Sequence, residues 1–140
     1  MESLKERVRA KPAWDATVSS GFGAFSWALG LAEVFTPHAL LGWMGVDKRM
    51  APLVRAYGMR EIGAGVAILQ NPIGPQFLWS RVAGDALDLA TLFFALKGRS
   101  RRPDRVTIAL GVVAAITVAD LLMSARLSQL SASKRLERAS

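Results

Sequence analysis

Four stretches of the chain are apolar for about 20 residues each, the length that carries an α-helix across a bilayer. The first runs from about Thr17 to Phe35 through "TVSSGFGAFSWALGLAEVF" and is stopped by Pro37. The second covers about Met50 to Gln70, the third about Gln76 to Leu96, and the fourth about Arg105 to Arg126. "NPIGPQ" divides the second from the third with two prolines and a glycine, residues that break helices. "KGRSRRPDR" divides the third from the fourth, and its Pro103–Asp104 step is a helix-start signal. After the first stretch, "PHALLGWMGV" begins on proline and carries Trp43, a pattern that suits an interfacial or re-entrant turn of helix.

The predicted fold is all-α: an integral membrane four-helix bundle with a short interfacial or re-entrant helix after the first span. Residues 17–127 make the four-span domain, between a basic N-terminal tail (1–16) and a polar C-terminal tail (128–140) expected to fray. Trp14, Trp43 and Trp79 fall near span ends, where an aromatic belt would place them. The alternative is a soluble helical bundle. Against it, Asp120 is the single charge between Val106 and Met123, so the fourth span has no polar face for water. The opening "MESLKERVRAKPAWD" before an apolar run mimics a signal peptide. That run ends in Glu33 without a small-x-small cleavage site, so a retained first helix is expected.

Polar and small positions inside the spans are not scattered. Ser19, Gly23, Ser26, Gly30 and Glu33 recur at spacings of four and three, as do Gly58, Glu61 and Gly65. Each set lies on one helix face. Lipid offers no hydrophobic drive for helix association, so these small-residue stripes are read as packing faces, with both acids pointing inward. In the third span Arg81, Asp85 and Asp88 share a stripe in the same way.

Composition adds little until charge is divided by place. Half of the 140 residues are hydrophobic, cysteine is absent and net charge is +7. Thiolate metal sites and disulfides are excluded. Three of the eighteen bases (Arg55, Arg60, Arg81) and five of the eleven acids (Glu33, Glu61, Asp85, Asp88, Asp120) lie in the spans. A lone charge at the bilayer centre costs about 2.5–3.5 kcal/mol on the mildest scale, so these eight must face inward and pair. Arg81 is one turn from Asp85 and two from Asp88, and either could take its guanidinium. The aspartate left over, and Asp120 in the most apolar span, are then candidates to carry a proton. The cluster Arg55, Arg60, Glu61, Arg81, Asp85, Asp88 and Asp120 is thus either a set of structural ion pairs or a site for a proton, a cation or a polar ligand group.

Enzyme chemistry is not expected. The single histidine, His38, follows Pro37 at a span end and reads as a cap or headgroup contact. No nucleophile elbow, phosphate loop or metal-ligand pair is present, and Arg81 would compete with any metal at Asp85 and Asp88. The basic residues lack a nucleic-acid motif and read as membrane flanks. Counted by side of a four-span protein they divide eight against seven, so charge barely orients the chain. Both termini are expected on the cytoplasmic side.

Three motifs, "YGMREIGAGVAILQNP", "LWSRVAGDALDLATL" and "VADLL", carry a family resemblance. The chain resembles the N-terminal four-helix membrane module of bacterial cyclase/dehydrase proteins, which often precedes a START-like (SRPBCC) domain. On that pattern Gly58, Arg60 and Glu61 match the second-helix signature, Arg81, Gly84, Asp85 and Asp88 the third, and Asp120 the fourth. The resemblance spans about residues 17–127 and implies a bacterial inner (cytoplasmic) membrane protein. The hydrophobic-ligand domain is not expected here, because the sequence stops at Ser140. The leading functional expectation is a non-enzymatic membrane module that binds a hydrophobic or amphipathic ligand, or docks a partner that handles one. No cofactor is expected, and a bound lipid or other hydrophobic molecule is compatible with the reading. The partners expected are membrane lipids and a second copy or another membrane protein. An accessory subunit of a larger membrane complex and a small proton-coupled transporter are the alternatives.

Overall fold

A computed structural model describes residues 12–98 and 100–140. The basic positions Lys5, Arg7, Arg9 and Lys11 of the N-terminal tail, and Arg99, lie outside the described residues. Among the described residues the chain is all-helical: α1 (Pro12–Phe35), α2 (Pro37–Met44), a 3-10 turn (Lys48–Met50), α3 (Ala51–Gln70), α4 (Pro75–Gly98) and α5 (Pro103–Ala139).

Prolines set the starts. Pro37 and Pro103 sit in the first turns of α2 and α5, and Pro52 in that of α3, where a missing N–H costs nothing. Gly45 ends α2 at φ 65° and donates to Gly42 O, while Val46 donates to Leu41 O, the bonds of a glycine C-cap. A Cβ at Gly45 would also lie 2.9 Å from the backbone nitrogen of Arg102. The loop before α5 is tied here. Arg101 N donates to Gly45 O, Ser100 Oγ to Met44 O, and Arg105 to Trp43 O. At the opposite end, Trp79 Nε1 donates to Ser128 Oγ, and Arg126 grips Asp15. The four long helices therefore run alternately up and down.

The bundle is two close pairs, α1 on α3 and α4 on α5, joined through α3 and α4. Glycines set the first pair's separation. A Cβ on Gly30 would stand 2.5 Å from Gly58 O, and one on Gly65 2.7 Å from Gly23 O. The buried positions of α1 are Asp15, Ser19, Gly23, Ser26 and Gly30, while Trp14, Phe25, Trp27 and Phe35 are exposed. An apolar cluster of Ile68, Leu78, Met123 and Leu127 closes the end of the bundle where α1 begins.

Among the described residues two helices, over Trp14–Phe35 and Pro103–Ala139, are long and apolar enough to cross a membrane, rather than the four expected. The second and third expected spans fall short because α3 carries Arg55, Arg60 and Glu61, and α4 carries Arg81, Asp85, Asp88 and Lys97. Two boundaries also differ. α1 begins at Pro12, five residues before Thr17, and α5 stays helical through the expected polar tail to Ala139. Leu, Lys, Arg, Glu and Ala in "SASKRLERAS" are good helix formers, and no proline follows Pro103.

Candidate functional site

Four helices deliver charge to one place. Glu61 comes from the inner face of α3, one turn beyond Gly58, and is 2 % exposed. Its Oε1 accepts from Arg60 Nη2 at 2.6 Å and its Oε2 from Arg81 Nη1 at 3.1 Å. Ser26 on α1 donates to the same carboxylate and to the Glu61 backbone carbonyl. The serine of the α1 stripe is thus a hydrogen-bond donor to the acid opposite, as well as a small residue.

Arg81 is the centre of the network and is itself buried. Its Nε donates to Asp120 Oδ2 at 2.9 Å, so one guanidinium links α4 to α3 and α5. Arg60 makes a second bridge, from Glu61 to Asp88 Oδ2 at 2.9 Å. Gly84 makes room for it: a Cβ there would run into the Arg60 guanidinium. Arg60 and Asp88 are part-exposed at the rim, and Tyr57 stacks under Arg60 while bonding Thr91 across to α4.

The expected pairing within α4 is not the one formed. Arg81 takes Glu61 and Asp120 from neighbouring helices, and no Arg81–Asp85 ion pair is present among the described residues. A guanidinium one turn from a carboxylate can reach it, but interhelical partners satisfy two of its faces in a fork. Asp120, expected as an unpaired acid, is paired with Arg81. Arg55 lies outside the cluster; its Nε donates to Val34 O at 3.3 Å and the side chain is exposed. Glu33 is half-buried, and its Oε2 meets no hydrogen-bond donor.

Asp85 Oδ2, Asp88 Oδ1 and Asp120 Oδ1 likewise receive no N–H or hydroxyl donor. One oxygen each from Glu61, Asp85 and Asp88 lies within 4.8 Å of the others, a spacing that a cation can span. Both Glu61 oxygens already accept from arginines, whose positive charge works against a cation at the same place. The ion pair Asp15–Arg126 joins α1 to α5 at the far end, with N···O 2.6 Å. Sequence reading missed it because 111 residues separate the partners.

Along the outside, α1 and α5 flank an open groove of about 400 Å³ lined by Val18, Gly21, Phe22, Phe25, Val112 and Ile116. A Cβ added at Gly21 would meet nothing within 4 Å, so the groove is open at this glycine. No family model, curated protein or solved structure matches the chain.

Proposed function

We propose that the chain is a small non-enzymatic integral membrane protein that holds a lipid-like molecule by one apolar chain in the groove between α1 and α5. The observation that carries this reading is the groove itself. Its lining is apolar, it lies between the two helices long and apolar enough to cross a membrane, and a glycine forms part of its wall. Hydrocarbon fits such a lining, and a polar ligand group does not. The resemblance to a module that precedes hydrophobic-ligand domains points the same way.

On this reading all four long helices cross. α3 has 20 residues and α4 has 24, or about 30 and 36 Å at 1.5 Å per residue, enough for the hydrocarbon core. Most of the charges that lower their hydropathy turn inward. Their outward positions include Met59, Val66, Leu69, Leu87, Phe93 and Phe94, all exposed and apolar. The arginines are engaged by acids of the same bundle, so the polar cluster serves as the lock of the fold and the ligand lies outside it.

Native mass spectrometry from gentle detergent tests the groove. The wild type retains one apolar-chain molecule, and Gly21→Leu, whose Cβ has nothing within 4 Å and whose side chain occupies groove space, loses it. A bare wild-type mass, or equal retention by the variant, overturns the reading. A stoichiometric protein partner in place of the small molecule would instead mark an accessory subunit.

A further inference from the structure

A charged corner stands above the groove between α1 and α5. Val112 and Ile116 line the groove from α5, and Arg105 precedes them by seven and eleven residues on the same helix. At about 100° per residue, both intervals return to within about 20° of Arg105, so the three share one face. Seven residues set Arg105 about 10 Å from Val112 along the axis. Side chains lean toward the start of their helix, which carries Arg105 away from the groove and toward the end of the bundle.

That corner is built into the fold, and its charge is not neutralised there. Arg105 Nη1 donates to Trp43 O at 3.1 Å, and its guanidinium lies 5.5 Å from the centre of the exposed Trp43 ring. Its other N–H groups meet no acceptor among the described residues. Arg101 and Arg102 have exposed side chains on the loop that is fixed to Gly45 and Met44. Lys48, Arg49 and Lys97 stand at the same end, and none of these six bases is in an ion pair among the described residues. The exposed acids there are Asp47, whose Oδ1 accepts from Arg49 N, and Asp104. An excess of positive charge beside an exposed tryptophan suits the headgroup layer of a bilayer.

On the reading that the groove seats a lipid-like molecule, we infer that this molecule is an anionic phospholipid. One acyl chain lies in the groove, and Arg105, Arg101 and Arg102 hold the phosphate. The guanidinium fork matches paired phosphate oxygens. Depth agrees with this placement. Val112 lies nine residues after Pro103, about 14 Å at 1.5 Å per residue, within the roughly 15 Å of hydrocarbon in one leaflet. Phosphatidylcholine offers the same phosphate but sets a quaternary ammonium beside these bases, whereas a headgroup of net negative charge does not.

Native mass spectrometry of the full chain in gentle detergent tests this with phosphatidylglycerol and phosphatidylcholine of identical acyl chains. The wild type holds phosphatidylglycerol more tightly. Arg105→Gln narrows that preference about fivefold, and Arg101→Gln with Arg102→Gln about 25-fold, from the worth of each base near an anionic surface. Arg101 and Arg102 bond to the fold through backbone nitrogens, so their double variant stays readable if Arg105→Gln unfolds. Arg135→Gln with Arg138→Gln, exposed at the far end of α5, leaves the preference unchanged. Gly21→Leu loses both lipids alike. Equal retention of the two lipids by the wild type, with both lost from Gly21→Leu, overturns the headgroup inference and leaves the groove reading standing. Retention of both by Gly21→Leu overturns the two together. A preference that neither arginine variant narrows, or that the Arg135–Arg138 double variant narrows equally, also overturns the inference.

Discussion

Replacing Arg81 with leucine removes the bond at 3.1 Å to Glu61 and the bond at 2.9 Å to Asp120, among side chains at most 2 % exposed. The two acids fare differently. Glu61 keeps Arg60 and Ser26; Asp120 loses its ion-pair partner. A hydrogen bond to a charged group is worth about 1.5–3 kcal/mol, and breaking a buried pair by removing one partner costs about 3–5 kcal/mol. Arg81→Leu should therefore destabilise by about 3–5 kcal/mol. Asp120→Leu should cost less, about 2–3 kcal/mol, because Arg81 retains Glu61. The double variant strands neither charge, and the two changes should couple by roughly 1–3 kcal/mol. Unfolding followed by circular dichroism during detergent or thermal titration supplies the four stabilities of the cycle. The discriminating comparison is a second cycle with Asp85→Leu in place of Asp120→Leu. An Arg81–Asp85 coupling larger than the Arg81–Asp120 coupling would refute the interhelical network, as would a wild-type-like Arg81→Leu.

Gly58→Ala should destabilise by about 1–3 kcal/mol, since its Cβ would lie 2.7 Å from Gly30 O; Gly63→Ala, with nothing within 4 Å, should match or exceed wild type in the same melts. Gly84→Ala should push Arg60 off Asp88, and a double-mutant cycle between Arg60 and Asp88 should then show their coupling lost in the Gly84→Ala background. Arg126→Gln should lower stability by only about 1 kcal/mol, because Arg126 is 42 % exposed and glutamine can still offer an N–H to the buried Asp15. The natural chain has no cysteine, so Asp104→Cys, Ile73→Cys and Ser133→Cys can be labelled singly on intact membranes. The Asp104→Cys thiol should label from one face, and the Ile73→Cys and Ser133→Cys thiols from the other. Labelling of Ile73→Cys and Asp104→Cys from the same face would show that α3 and α4 do not each cross.

Several helix boundaries were legible because Pro37, Pro75 and Pro103 act on the backbone locally. The stripes Ser19–Gly23–Ser26–Gly30 and Gly58–Glu61–Gly65 were legible for a related reason, since helical spacing puts them on one face whatever lies opposite. Partner choice was not. Spacing offers Arg81 only Asp85 and Asp88, while the fold presents Glu61 and Asp120 at 20 and 39 residues' remove. Ser26 read as a small residue because its acceptor sits on another helix. The helical end of α5 was hidden by polarity, which argues about solvent and not about backbone.

The distribution of side chains by depth bears on why such a cluster persists. α1 buries an aspartate, two serines and two glycines and exposes two tryptophans and two phenylalanines. Only 22 % and 17 % of the most apolar stretches of α1 and α5 are buried. With water outside, that arrangement gives up most of the hydrophobic drive, because the apolar surface stays wet. With hydrocarbon outside, apolar side chains gain nothing by turning inward, and association falls to close packing and polar contacts. Gly23, Gly30, Gly58 and Gly65 supply the first between α1 and α3. Arg60 and Arg81 supply the second between α3 and α4 and between α4 and α5. The charges that leave α3 and α4 less apolar than their neighbours are therefore the same ones that hold those two helices in the bundle.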